Sequence, residues 1–334
     1  MTEERILLSH GSGGKLTHRL LEEIVFPAFR NPYLEKNDDS AVVELKGRTA
    51  FTTDSFVIKP LFFPGGDIGK LAVCGTVNDL AVMAALPRFV TSACIVEEGF
   101  AVADFRKIIL SMKKAAEEAG VMIVGGDMKV VEKGACDGMF INTSGVGTVM
   151  TGTQVSADRA RPGDAVIING PIGDHGAAVM ASRQDYGIRV PIKSDCCPLN
   201  GLAQAALAAC PRVHVMRDPT RGGVATTLNE IARSSKVTVA IEENLLPVRP
   251  AVRGFSEVLG IDPLYMANEG KILIFCPDKD ASRVLKALSR HPYGKGSRVI
   301  GRVEKGEPAV LLRTSIGSTR ILDMLTGEQL PRIC

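Results

Sequence analysis

The sequence closes on a thiol, in the run Gln329-Leu330-Pro331-Arg332-Ile333-Cys334. A terminus is the part of a chain least held by tertiary packing. A thiol there can leave a pocket, meet a second protein and return. Pro331 keeps the last residues out of a helix and favours an extended approach. The terminal carboxylate disfavours the Cys334 thiolate, and Arg332 favours it. The inert alternative is that one cysteine of eight simply falls last. A second set of chemistry-bearing residues is acidic. It comprises Asp38-Asp39, Asp54 after Thr52-Thr53, Asp79 in Val77-Asn78-Asp79-Leu80, Asp127 after Gly125-Gly126, and Asp218. Asp79 interrupts an otherwise apolar stretch, where a charge is costly unless paired or bound to a metal. Carboxylate oxygens near phosphates are what Mg²⁺ takes. Each of these aspartates could instead cap a helix or a turn.

The loop His10-Gly11-Ser12-Gly13-Gly14-Lys15 could turn backbone N–H groups toward phosphates, or be only a flexible arm. It is neither a Walker A loop, which needs glycine where Ser9 stands, nor a dinucleotide fingerprint, which needs glycine at Leu16. The five histidines lack metal-ligand spacing and are expected to be structural. The eight cysteines form no CxxC pair, which argues against zinc.

With 334 residues, the chain can build two domains with full cores. Trp is absent and aromatics are 5%, so Ala, Val, Ile and Leu must fill those cores. A net charge of +3 gives no reason to expect nucleic acid or a membrane surface. With no signal-like start and no membrane-length apolar run, the expectation is a reduced, cytoplasmic protein.

The elements that must position these residues alternate between strand and helix, which predicts layered α/β (α+β) domains. A helix is expected from Leu16 to Phe26, stopped by Pro27. Strands are expected at Ala41–Leu45 and Ala50–Thr53, and a helix from about Ile68 to Ala85, ended by Leu86-Pro87. A helix over Ala103–Ala119 should end at Gly120. A short strand, Val121–Val124, should turn at Gly125-Gly126-Asp127, and Phe140–Met150 should be another strand. The second half repeats the pattern, with strands at Ala165–Asn169, Val213–Met216, Val237–Ile241 and Lys271–Phe275. Its helices are expected after Gly173, at Val224–Ser234 and near Ala251–Leu259. Four segments follow: an arm over 1–40, a domain over 41–154, a second domain over 155–310, and a mobile tail over 311–334.

His10–Gly14, Thr52–Ser55, Val77–Met83, Gly125–Val131, Arg217–Gly223, Asn268–Lys271 and Pro331–Cys334 together resemble the HypE family of hydrogenase-maturation carbamoyl dehydratases. The earlier motifs are shared with a superfamily that includes aminoimidazole ribonucleotide synthetase and selenophosphate synthetase; the tail is the specific part. Met128 and Ala84 depart from the pattern, with little at stake. The resemblance implies two domains of the aminoimidazole ribonucleotide synthetase-like fold, a homodimer with paired N-terminal sheets, and ATP in a cleft between the domains. It implies that Cys334 receives a carbamoyl group from the carbamoyltransferase HypF. ATP would then dehydrate it to a thiocyanate, for transfer to iron on a HypC–HypD scaffold.

On that reading Asp39, Asp54, Asp79 and Asp218 hold Mg²⁺. Gly11, Gly13, Gly14, Asp38 and Asp127 stand with them around ATP, and Lys129 reaches a phosphate or the substrate oxygen. Phosphorylating the carbamoyl oxygen makes phosphate the leaving group, and cationic neutralisation assists that transfer. A base must take protons from nitrogen. Glu269 is the expected base, since it stands before the buried-looking strand Ile272–Phe275 and Gly270 leaves room for another backbone. The residues alone also allow a solvated turn glutamate paired with Lys271. Two other functions remain open: another ATP-dependent enzyme of the superfamily (a selenophosphate synthetase or small-molecule kinase), and a non-enzymatic, nucleotide-gated thiol carrier. A selenophosphate synthetase should carry a reactive Cys in the glycine loop, where Ser9, His10 and Ser12 stand.

Overall fold

The computed structural model describes residues 4–12, 14–36, 40–183, 191–324 and 333–334. Two sheets carry the fold. The first contains β1 (Thr49–Phe56), β2 (Ala85–Glu97), β3 (Met122–Val131) and β4 (Met139–Val149), in the order β1-β4-β2-β3. Its pairs are antiparallel except β2 with β3. The second is seven-stranded. It contains β5 (Asp164–Ile168), β6 (Val215–Arg217), β7 (Thr238–Glu242), β8 (Leu273–Pro277), β9 (Arg298–Glu304), β10 (Ala309–Arg313) and β11 (Thr319–Ile321). Its order is β11-β10-β7-β9-β5-β8-β6.

Helices α1 (Ile68–Val82) and α2 (Val102–Ala119) belong to the first domain. Helix α2 buries Phe105, Ile108, Ile109, Met112, Ala115, Ala116 and Ala119, the single stripe that helical periodicity requires. Gly120 ends it in the left-handed conformation, at φ 69°. Helix α1 is different, because almost every residue is buried. Asp67 caps it by accepting from the N–H groups of Gly69 and Lys70, at 2.8 and 3.0 Å. Its apolar residues enter two cores. Leu71, Val73 and Val77 join the first domain's cluster, and Ala81 and Val82 join one from the second domain. A helix buried all round is what an apolar run with no polar face must become.

The hinge of the two domains is a side chain of this helix. Asn78 Nδ2 donates to the main-chain oxygens of Cys197 and Glu269, at 3.2 and 3.3 Å, and its Oδ1 accepts from Leu199 N–H at 2.7 Å. All its partners lie in the second domain, and Asn78 is buried.

Several sequence expectations need correction. Helix α1 stops at Val82, not Ala85, because Ala84 turns left-handed at φ 57°. Leu86-Pro87 then lies inside β2, where the register shifts between Pro87 and Phe89, accommodating a residue with no N–H to donate. Gly125-Gly126-Asp127 does not turn the chain; it runs on within β3, across a register shift against β2. Gly126 allows this, since a Cβ there would sit 2.3 Å from the Ser92 carbonyl oxygen. Ala41–Leu45 has no ladder partner among the described residues and forms no strand, although its exposure alternates. Pro27 does not end the first helical run. A π-helical stretch, Leu21–Val25, resets the ladder, and Pro27 opens a new turn, Phe26–Phe29, where its missing N–H is not needed.

The tail does not begin at 311. Strands β10 and β11 are a hairpin on the second sheet, with Thr314–Ser318 as its turn. Leu322 is buried, and its carbonyl accepts from Asn229 Nδ2 at 2.8 Å. The tail boundary therefore moves beyond residue 322, and the expected mobile run over 325–332 lies outside the described residues.

Asn78→Ala should lower the urea midpoint of unfolding. It removes three interdomain hydrogen bonds and leaves the Leu199 N–H unpaired, a loss of about 1–3 kcal/mol for such a buried group. An unchanged midpoint would show that the clamp contributes nothing.

Candidate active site

Where α1 meets β1, three carboxyl groups converge. Asp54 lies on β1 facing the helix beside Gly75, which makes room for the Phe56 ring: a Cβ there would be 2.9 Å from it. Asp79, next to the Asn78 clamp, accepts from Thr52 Oγ1 at 2.9 Å. Asp218 enters from the loop after β6, which turns at Gly222 and Gly223, both at positive φ. Gly223 has no alternative, since a Cβ would meet two main-chain oxygens, Leu264 at 2.5 Å and Met266 at 2.6 Å. The cluster is short of counter-charge. Burial raises the Asp54 carboxyl, with Asp79 adding to it. Burial also raises Asp79, against the Thr52 hydrogen bond and Arg217. Asp218 is pushed up to about 7, by burial first and then by Asp79 and Asp54. Among the described residues no three His, Cys, Asp or Glu side chains form a ready metal cage. Mg²⁺ does not require one, because it usually takes one or two carboxylates with phosphate oxygens and water. Carboxyl groups raising one another's pKa fit that cation.

Beside this cluster sits Glu269, buried, its carboxyl held well above the usual range by burial and then by neighbouring Cys196 and Asp195. Lys271 is not its partner. Lys271 Nζ pairs instead with Asp195, at 2.9 Å, in a buried ion pair. Asp195 also accepts from the N–H groups of Glu269 and Gly270, each at 3.2 Å. Burial alone would raise Asp195; the Lys271 ammonium, with the hydrogen bonds from Lys271 and the Glu269 N–H, more than reverses that, leaving it lowered. Gly270 is tightly crossed, as a Cβ would fall 1.9 Å from the Asp195 carbonyl oxygen.

The C-terminal dipeptide is docked in this cleft. Cys334 Sγ accepts from Arg221 Nη2 at 3.2 Å, and the Cys334 main-chain oxygen accepts from Val57 N–H at 3.3 Å. Ile333 is buried within the first domain's core cluster. The thiol is pushed up to about 11, by burial and by Glu269, against Arg221. In this seat the sulfur is neutral.

Asp127 and Lys129 are elsewhere. They lie exposed on β3, paired with each other at 2.6 Å, which lowers the Asp127 carboxyl. Strands β1 and β3 are opposite edges of the sheet, three strand spacings or roughly 14 Å apart. Asp127 shares a register row with Ala93, Asn142 and Ser55, whereas Asp54 pairs with Thr143 in the adjacent row, on the other face. Within one chain, then, this pair does not join the carboxylate cluster. Gly11 packs on β3, where a Cβ would meet Val130 N at 2.5 Å, and with Ser12, Ser92, Asp127 and Lys129 it lines a cavity of about 500 Å³. Gly14 caps the first helix, and Gly13, Asp38 and Asp39 lie outside the described residues.

Both halves of the chain match models of AIR synthase related proteins, the N-terminal domain over 37–149 and the C-terminal domain over 161–312. Carbamoyl dehydratase HypE of Rhodobacter capsulatus is 49% identical over 338 residues, covering 100% of this chain and 99% of the relative. The chain belongs to the HypE family. A crystal structure of the hydrogenase maturation protein HypE in complex with ATP superposes with a TM-score of 0.95, at 45% identity over 98% of this chain and 99% of that one. HypE in a HypE–HypF complex superposes at 0.81, with 49% identity over 92% and 99%. The fold expected from the motifs is the HypE fold.

Against that family frame, sequence reading passed over several residues of the cleft. Asn78 and Arg221 stood inside quoted motifs without a role. His175 was expected to be structural, yet it touches the docked tail. Ser194 and Asp195 carry no local signal, because they reach the cleft only through the crossing at Gly270.

Asp218 yields a pH test. Its folded pKa, about 7, lies above the ordinary 3.8, so the folded state holds a proton that the unfolded chain releases. That contribution is complete below 3.8 and is lost as pH rises through about 7. Asp218→Asn should flatten this decline and be more heat-stable than the parent at pH 8 without divalent cation. A variant with the parent's pH–stability slope would place the titration elsewhere.

Proposed function

We propose that this HypE-family chain is an ATP-dependent carbamoyl dehydratase acting on its own Cys334, converting an S-carbamoyl group to a thiocyanate that supplies cyanide ligands for [NiFe]-hydrogenase. The observation that carries the reading is the Cys334 sulfur held by Arg221 beside Glu269 and the Asp54–Asp79–Asp218 cluster. The carbamoyl oxygen attacks the γ-phosphorus of ATP as nitrogen loses one proton, giving an S-imidate phosphate and ADP. Loss of the second N–H proton and cleavage of the C–O bond then release phosphate and leave S–C≡N. Glu269 takes a proton from nitrogen, its raised pKa making it a stronger base than an ordinary carboxylate. Arg221 orients the sulfur end of the group. Asp54, Asp79 and Asp218, with Asp38 and Asp39, would hold Mg²⁺, which supplies charge neutralisation for phosphoryl transfer. Gly11, Gly13, Gly14 and Asp127 would line a nucleotide, those on the β3 face, like Lys129, from the second copy of a homodimer.

The neutral, buried thiol makes this cleft a poor place to acquire the carbamoyl group. Loading by HypF, and transfer to a HypC–HypD scaffold, would use the undocked tail. The proposal sets this in a reducing cytoplasm, in keeping with eight free thiols. No helix among the described residues is long and apolar enough to cross a membrane. A homodimer pairing the first sheets would cover the face carrying Phe51 and Ile95, which are 73% and 42% exposed. Lys129 shares that face and would then serve the cleft of the second copy.

The direct test is mass and infrared analysis of the C-terminal peptide after incubation with HypF, carbamoyl phosphate, ATP and Mg²⁺. The parent should gain a carbamoyl group, lose one water and show a nitrile band, and Cys334→Ala should show none of these. A modification found on Cys196 or Cys197 would overturn the assignment. Glu269→Gln should accept the carbamoyl group and accumulate thiocarbamate, with dehydration slowed roughly 10²–10⁴-fold and without the parent's rise in rate at higher pH. Mixed dimers of Lys129→Ala with Glu269→Gln should recover activity that neither variant has alone. Failure to recover would confine Lys129 to its own chain.

A further inference from the structure

The seat of the last two residues is more elaborate than burial of a tail requires. The Ile333 carbonyl oxygen lies 2.6 Å from His175 Nε2, and His175 Nδ1 lies 2.8 Å from Ser194 Oγ. A carbonyl can only accept, so Nε2 carries the proton and Nδ1 presents its lone pair. Ser194 must then donate its hydroxyl to Nδ1. Its oxygen is held for that role, because it accepts from Cys196 N–H at 3.1 Å. The Ser194 backbone is fixed in turn by Pro64, whose carbonyl accepts from Ser194 N–H at 2.7 Å. Gly65 seals the crossing, since a Cβ there would lie 2.7 Å from the Ser194 carbonyl oxygen. Phe63 packs edge-on against the imidazole, with ring centroids 5.4 Å apart at 87°. His175 is fully buried and neutral, and it is committed to one tautomer by partners on both sides.

We propose that His175, oriented by Ser194, is the positioning residue that registers the C-terminal dipeptide: it grips the Ile333 carbonyl and so places the Cys334 sulfur against Arg221. Three features of the dipeptide fix its register together. The Ile333 side chain fills an apolar slot, its carbonyl meets His175 from the second domain, and the Cys334 main-chain oxygen meets Val57 from the first. A slot alone would tolerate sliding. A directional hydrogen bond beside the reacting sulfur does not. The grip uses only main-chain atoms and an uncharged ring, so it holds the dipeptide alike whether the sulfur bears hydrogen, a carbamoyl group or a nitrile. The ring nitrogens of His175 are both taken up by Ser194 and the Ile333 carbonyl, so the ring acts on the sulfur only through the main chain. The inference deepens the dehydratase reading and rests on it for the consequence to catalysis, but not for the docking itself.

Two variants separate positioning from mere support. His175→Gln places an amide N–H close to the position of Nε2, and His175→Phe keeps the ring against Phe63 but loses both hydrogen bonds. The readout is alkylation of Cys334 in the full-length chain by iodoacetamide, followed by peptide mass spectrometry, with partly exposed Cys136 as internal reference. Expected is Cys334 alkylation roughly tenfold faster in the Phe variant, the order for one buried hydrogen bond, and substantially restored by Gln, with Cys136 unchanged. Dehydration of the carbamoylated Phe variant should slow at an unchanged KM for ATP. Unchanged Cys334 alkylation in the Phe variant would overturn the proposal. So would a Gln variant no better than Phe, or equal acceleration at Cys136, which would mark general loosening. If alkylation behaves as expected while the parent never dehydrates its carbamoyl group, the latch stands and the dehydratase reading falls.

Discussion

The site depends on one buried amide. Asn78 extends from a helix of the first domain and bonds three main-chain groups of the second, at Cys197, Leu199 and Glu269. Those groups are bonded across a buried interface, so the relative placement of the domains is fixed where the amide sits. The next residue along the helix is Asp79. The same few ångströms of backbone therefore join the domains and aim a carboxylate into the cleft between them. Because Glu269 is held by its own main-chain oxygen, its side chain is set against the first domain by that clamp as well.

Within this frame, charge is distributed unevenly. Lys271, two residues beyond Glu269, is spent on Asp195 in a buried pair that orders the Glu269–Gly270 backbone. Burial first, and then Cys196 and Asp195, leave Glu269 proton-hungry. Asp79 raises Asp54 and both raise Asp218, against only the partial relief of Arg217 and Arg221, a condition that favours a ligand bringing more positive charge. The thiol rests uncharged beside them. On the proposed function, one arrangement would serve two demands: affinity for a cation with phosphates, and tolerance of a neutral sulfur adduct.

Much of this was legible in the chain. The stripe on Ala103–Ala119 and its stop at Gly120 are local signals, and the helix follows them to within a residue. The motifs around Asp54, Asp79, Asp218 and Glu269, with the closing Cys334, were enough to point to the family. Errors came where tertiary contact overrode local signals. Two glycines read as a turn are a strand interior, because what Gly126 provides is room for the Ser92 carbonyl and not a reversal. A polar, glycine-containing run read as the start of a free tail is a hairpin turn, because β7 offers β10 a ladder.

The sequence by itself determined the chemical inventory: a terminal thiol, hard acidic ligands, a candidate base and the α/β alternation that carries them, all properties of residue type and spacing. Only the tertiary structure decided which of these meet. It brought Asp54, Asp79, Asp218, Glu269 and Cys334 to one cleft and left Asp127 and Lys129 on the opposite face, because strand pairing sets the face and edge to which each side chain belongs. It also recruited His175, Ser194 and Arg221 to the tail. Their contacts join residues more than a hundred positions apart along the chain, or a serine nineteen positions from His175, and no local pattern encodes such distances.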